Sequence, residues 1–264
     1  MTPDITSSQN PRIKQLLRLQ TKQSERRSLN MIVVEGFREI NLAVISGFEP
    51  VEIYFAPEVG NKTDFDQVAK AFPKVYTLAI EPFSRIAYRE GSDGLIAIFR
   101  PRYLTINDLV FKPQSVYMVL EGVEKPGNLG AALRTADASQ IDAVWLCDSP
   151  IDLYNPNAIR SSVGCIFTVP VIQTTSQLAL DWFKRHEVDT YAAALTATES
   201  YHNQDFKRAC AIAFGTEADG LTPLWLNEAD KQILIPMRGK IDSLNVSVSA
   251  AVMIFEVMRQ RNFR

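Results

Sequence analysis

Cysteine is scarce in this chain, and so is histidine. Three cysteines (Cys147, Cys165 and Cys210) and two histidines (His186 and His202) are spread through 264 residues. An odd count at wide spacing gives no CxxC pair and no disulfide framework, and the two histidines complete no zinc pattern. No metal site is expected, and a reducing cytoplasm is the expected setting. Long apolar runs are missing too. None approaches the roughly 20 residues that span a bilayer. The opening "MTPDITSSQNPRIK" lacks the apolar core of a secretory signal. There is no internal repeat, no low-complexity stretch and no GxGxxG, so the dinucleotide-binding fingerprint is absent. A net charge of only −2 argues against indiscriminate binding to nucleic acid.

What is present begins with apolar content. At 46% hydrophobic, the chain suits one large or two ordinary domains with real cores. Charge is unevenly placed. Residues 1–30 carry Arg12, Lys14, Arg18, Lys22, Arg26 and Arg27 against Asp4 and Glu25. That local balance of +4 leaves −6 for the remainder of a chain at −2. A basic entry segment on a mildly acidic body suggests a local anion-binding surface; a solvated helix face would read the same way.

The hydrophobic pattern divides into two α/β alternations. "NPRIKQLLRLQTKQSERR" reads as a helix capped by Asn10 with Pro11 at its first position. Strand "MIVVE", a helix from about Gly36 to Ser46, strand "VEIYF", a helix near 64–72, strand "VYTLA", a helix over 81–88 and strand "GLIAIF" follow. This first unit covers residues 1–100. Residues 101–115, with mixed polarity and two prolines, read as a linker. The second unit, 116–264, offers strands "VYMVLEG", "AVWLCD", "TVPVI", "TYAAAL", "CAIAFG" and "KQILIP" with helices between them, which argues for a parallel sheet.

Three segments of the second unit could carry chemistry. In "EGVEKPGNLGAALRTADA" a strand ends in a loop, Asn128 can cap the next helix, and Arg134 lies within it. An amide and helix-terminal N–H groups bind anions or hydroxyls, and a guanidinium grips phosphate. In "AIAFGTEADGLTPLWL" a buried strand runs into Gly215, Glu217 and Gly220, where backbone can approach a ligand closely. The third, "LIPMRGKIDSLNVSVSAA", leads into a terminal helix whose start is crowded with Ser243, Asn245, Ser247 and Ser249. One cap would suffice. Leu244, Val248, Ala251, Phe255 and Met258 recur at helical spacing and mark one apolar face of it. Each segment alone is also explained by an ordinary capped helix or turn.

Together and in this order, "KPGNLGAALRTADA", "FGTEADGL" and "IPMRGKIDSLNVSVSAA" resemble the three motifs of the SpoU (TrmH-like) group of SPOUT RNA methyltransferases. The resemblance covers roughly residues 115–264. The first 100 residues are similar to the ribosomal-protein-like substrate-binding domain often fused to it. One departure stands out: where many relatives have a Gly after the first motif's helix, this chain has Gln140.

The resemblance implies two α/β domains, the second with a deep trefoil knot, and a homodimer with a shared RNA site. It implies transfer of the methyl group of S-adenosylmethionine to a ribose 2′-hydroxyl, in ribosomal RNA before transfer RNA. It places Asn128, Arg134, Glu217, Ser243 and Asn245 around the target ribose. It places Thr196, Gly215, Gly220, Ile235, Met237, Leu244 and Ser247 around the cofactor. Arg12, Lys14, Arg18, Lys22, Arg26 and Arg27 are expected to contact RNA phosphates. A non-catalytic RNA-binding protein would keep the fold without needing the five ribose-site residues intact.

Overall fold

The computed structural model describes residues 3–88 and 91–263. In chain order it begins with α1 (Pro11–Thr21), α2 (Gln23–Leu29), β1 (Ile32–Glu35) and α3 (Phe37–Ile45). Next come β2 (Pro50–Phe55), α4 (Lys62–Ala69), β3 (Val75–Thr77), α5 (Ile80–Ile86) and β4 (Leu95–Phe99). Then follow β5 (Val116–Glu121), α6 (Pro126–Ser139), β6 (Ala143–Cys147), α7 (Pro156–Ser161) and α8 (Cys165–Thr168). The chain continues through β7 (Val171–Thr174), α9 (Ser176–Arg185), β8 (Asp189–Ala193) and β9 (Glu199–Ser200). It closes with β10 (Cys210–Phe214), α10 (Pro223–Glu228), β11 (Lys231–Leu234) and α11 (Val246–Gln260).

Two compact units result. The first comprises residues 1–102 and 152–168, the second 103–151 and 169–264. A linear reading assigns 152–168 to the second unit and 101–115 to a linker. Instead α7 and α8 return to the first unit, where Phe167 meets Phe48 edge-on at 4.9 Å. Residues 103–115 belong to the second unit and hold a short 3-10 turn at Ile106–Asp108, closed by a reciprocal Thr105–Asp108 capping box.

The first unit has a four-stranded sheet in the order β1-β4-β2-β3, antiparallel except for the β2–β3 pair. Ile13, Leu16 and Leu19 recur along one face of α1 and pack with Tyr54, Ile96 and Ile98. The expected single helix over 10–27 is two: Lys22 takes an extended backbone between α1 and α2. The Arg26 guanidinium then folds back onto the Leu19 and Gln20 carbonyls, satisfying acceptors that the end of α1 leaves open.

The second unit has seven strands, all paired parallel, in the order β7-β6-β5-β10-β8-β11-β9. Alternate residues Tyr117, Val119, Trp145, Ala211 and Ala213 join the core shared with Phe183 of α9 and Trp225 of α10. α6 and α11 pack against each other. The expected strand "TVPVI" starts later, because Thr168 still belongs to α8.

The buried face of α11 is not the apolar face that Leu244, Val248, Ala251, Phe255 and Met258 mark. Val246, Ala250, Met253, Ile254 and Val257 are buried, Leu244 precedes the helix, and Val248 and Phe255 remain 47% and 40% exposed. This helix carries two apolar stripes, and packing against α6 and β10 selects one of them.

Candidate functional site

Three loops of the second unit converge on one cavity of about 210 Å³. They follow β8, β10 and β11, the last leading into α11, so the site lies beyond the carboxyl ends of neighbouring parallel strands. Of the seven residues expected at the cofactor, Thr196, Gly215, Gly220, Ile235, Met237 and Leu244 line it. Ser247 does not. Its hydroxyl and N–H both donate to Asn245 Oδ1, at 2.6 and 3.0 Å, so it holds a neighbour. Ser249, noted at the crowded helix start but given no role, and Met253, not singled out by the sequence, also line the cavity. Their signal was helical spacing: they lie four and eight residues beyond Asn245, on the side of α11 that the polar start already marks.

Gly215 is required by its surroundings. A Cβ there would sit 2.0 Å from the Gly220 carbonyl carbon. Thr216 and Gly220 exchange two backbone hydrogen bonds of 3.1 Å, closing the loop back on itself, and Gly220 has φ +69°. The wall is therefore bare backbone beside apolar Phe214, Leu221 and Leu244, a shape that takes a flat ring with polar edges.

At the cavity mouth three expected ribose-site residues meet. Asn128 Nδ2 donates to Glu217 Oε1 at 3.1 Å, and Asn245 Nδ2 donates to Asn128 Oδ1 at 3.1 Å and to Glu217 Oε1. Lys125 Nζ closes on Glu217 Oε2 at 2.7 Å. The amide orientations follow from one backbone donor. Ser247 N–H fixes Asn245 Oδ1, which leaves Asn245 Nδ2 to serve Asn128 Oδ1, and Asn128 Nδ2 to serve Glu217. The hydrogen bond from Lys125, then that from Asn128, holds the Glu217 carboxyl below the usual carboxylate range. The Lys125 ammonium is raised in turn by the same bond.

The crowded helix start is thus explained. Asn245 is the N-cap of α11 and at the same time a member of the polar bridge. Asn128 is not a cap: α6 begins at Pro126, its N-cap is Lys125, and Asn128 faces the bridge from the first turn. Ser243 lines the cavity and donates to Asp242 at 3.2 Å. Arg134 is exposed and stands apart from the bridge. Six residues along an α-helix is about 9 Å and about 240° of turn from Asn128.

The basic segment divides. Lys14, Arg18, Lys22 and Arg27 are exposed. Arg26 is a correction: it is buried, its guanidinium 2.5 Å from Asp152, and it is unavailable to RNA. Arg12 is half-buried, donates to both Glu52 oxygens at 3.0 Å and lies over Tyr76 at 4.2 Å.

Comparison with known proteins agrees with this geometry. Residues 115–255 match the SpoU rRNA Methylase family. The chain belongs to that family. Residues 10–97 of this SpoU-family chain match the MRM3-like substrate binding domain. A crystal structure described as an RNA 2′-O ribose methyltransferase is 37% identical, covers 98% of this chain and 99% of its own, and superposes with a TM-score of 0.87. An AdoMet-bound rRNA methyltransferase from Sinorhizobium meliloti is 26% identical over 97% of each chain, also at 0.87. The 23S rRNA (guanosine-2′-O-)-methyltransferase of Bordetella pertussis is 32% identical over 87% of this chain and 97% of its own length. The family match makes this chain a methyltransferase.

Proposed function

We propose that this SpoU-family methyltransferase modifies ribosomal RNA, passing the methyl group of S-adenosylmethionine to a ribose 2′-oxygen. The observation that carries this reading is the Asn128–Glu217–Asn245 bridge at the mouth of the glycine-walled cavity. The ribosomal preference and the 2′-oxygen are supported by what the related enzymes methylate. DNA lacks the acceptor hydroxyl.

S-adenosylmethionine supplies an electrophilic methyl on a sulfonium. Thr196, Gly215, Ile235, Met237 and Leu244 hold it, with apolar contacts for the adenine and backbone groups for its polar edge. Asn128 and Asn245, held rigid by Glu217, present amide groups to the ribose, and Ser243 adds a hydroxyl on the cavity side. Fixing the acceptor oxygen in line with the methyl lowers the barrier by up to about 7–11 kcal/mol in the best cases. Methyl transfer would form the C–O bond as the sulfonium C–S bond breaks, leaving a neutral thioether, and the 2′-hydroxyl proton would pass to solvent water. Arg134 binds the adjoining phosphate and stabilises the developing oxyanion through its planar, permanently charged guanidinium.

The reading includes a homodimer. The exposed stripe Val248 and Phe255, with half-buried Ala251 and Met258, gives α11 an apolar outer face. Its pairing with a second copy would let Arg134, remote from its own bridge, serve the neighbouring site. Among the described residues no helix is long and apolar enough to cross a membrane, and the cytoplasm is the proposed setting.

The test is methyl transfer from labelled S-adenosylmethionine to total RNA from a strain lacking the gene, with 2′-O-methyl positions mapped. A new mark at a ribosomal nucleotide is expected; a mark confined to transfer RNA would overturn the substrate. Mixing Arg134→Ala and Glu217→Ala proteins, each inactive alone, is expected to restore part of the activity. No restoration would overturn the shared site.

A further inference from the structure

The first unit holds an aromatic ring that the methyl-transfer site does not use. Tyr88 follows α5 and keeps 45% of its surface exposed. It is nevertheless tied at both ends. Its N–H donates to Glu35 Oε2 at 2.7 Å, and its hydroxyl donates to Asn157 Oδ1 at 2.7 Å. The Arg160 guanidinium lies over the ring, 5.5 Å from its centroid. Glu35 comes from β1, Asn157 and Arg160 from α7, so two other elements hold Tyr88, β1 at its backbone and α7 at its ring.

We propose that Tyr88 and Arg160 form a stacking platform for an unpaired base of the RNA substrate, a site that rests on the reading of this enzyme as an RNA methyltransferase. An exposed tyrosine ring normally costs side-chain entropy to immobilise when a ligand stacks on it. Here the hydroxyl bond to Asn157 and the Arg160 guanidinium already hold the ring, while Glu35 fixes the backbone beneath it. Arg160 supplies a guanidinium that stacks with an aromatic and reaches a phosphate at once. It is exposed, and no carboxylate among the described residues forms an ion pair with it. The recess beneath the ring, about 20 Å³, is too small for a base, so the base lies on the platform rather than within it.

Charge favours RNA as the occupant. Gln20 Nε2 donates to the Ile86 carbonyl at 2.7 Å, which pins the end of α1 beside the residues leading to Tyr88. Exposed Arg85 lies on α5, three residues before Tyr88. Arg160 over the ring and Arg85 in the helix that leads to it offer cations for the backbone beside a ring for the base, the combination that single-stranded nucleic acid requires. Stacked bases on aromatic side chains are how unpaired RNA is held, while paired RNA offers no free face.

The test uses the full-length protein, a fluorescein-labelled 12-nucleotide oligoadenylate and a 12-base-pair RNA duplex, with binding read by anisotropy at fixed salt. Tyr88→Ala is expected to weaken oligoadenylate binding about tenfold and duplex binding hardly at all. Tyr88→Trp should bind the single strand at least as well as the natural protein. Arg160→Ala should weaken the single strand independently. Equal oligoadenylate affinity in Tyr88→Ala, or equal loss on both probes, would overturn the platform. So would a natural protein that binds only the duplex. Calorimetry of S-adenosylmethionine binding and methyl transfer to total RNA report separately on the methyltransferase reading, so the two can fail apart.

Discussion

Asn128 and Glu217 stand 89 residues apart in the chain, and the amide of the first donates to the carboxylate of the second over 3.1 Å. Asn245, from a third element, bonds to both. A bridge among three segments holds an acceptor-binding group still only while all three members are present.

Removing one member should therefore act on the chemical step. Hydrogen bonds to charged groups contribute about 1.5–3 kcal/mol each, so Asn128→Ala is expected to lower the rate of methyl transfer about 10–100-fold. Asn128 does not line the cavity, and S-adenosylmethionine affinity should be retained. Single-turnover kinetics with calorimetry check both halves. A variant that loses cofactor affinity instead would move Asn128 out of the acceptor site.

Protonation of Glu217 should break the same bridge. Its carboxyl titrates below the usual carboxylate range, chiefly through the Lys125 hydrogen bond. A lowered native pKa means the stabilisation is fully present above the ordinary carboxylate pKa and is lost as pH falls through the lowered value. Lys125→Ala removes the largest cause, so the acid limb of the methyl-transfer profile should shift to higher pH. An unmoved limb in the variant would show that Glu217 does not set it.

Asp152 and Arg26 test the division of the chain. Both are largely buried, at 12% and 5% side-chain exposure, and the pair joins α2 to the segment that begins the return into the first unit. Asp152→Ala strands a buried guanidinium and should cost about 3–5 kcal/mol. Denaturant unfolding gives the number, and hydrogen exchange should show opening centred on residues 152–168. A loss below 1 kcal/mol, on the order of a surface pair, would contradict the burial.

Gln140 should be improvable. It sits at φ +51° as the exposed C-cap of α6, in the left-handed region where a side chain is strained. Gln140→Gly is expected to add about 1 kcal/mol and raise Tm by about 2–4 °C. Calorimetric unfolding decides it, and activity should be unchanged because the bridge lies at the other end of α6.

The sequence by itself determined what local chemistry can encode. Continuous apolar runs such as "VYMVL" and "CAIAF" became buried parallel strands, and Pro-Gly-Asn and Ser-Leu-Asn announced polar helix starts at one end of the sheet. Six residues that the family resemblance assigns to the cofactor line one cavity, because loops after parallel strands share one side of a sheet. The tertiary structure alone decided which of two apolar stripes on α11 faces inward, since both have helical spacing and only packing distinguishes them. It also decided that Arg26 is an interior anchor while Arg27 beside it is exposed, because the partner Asp152 lies 126 residues away. Periodicity records which residues share a face; burial and charge pairing depend on what that face meets.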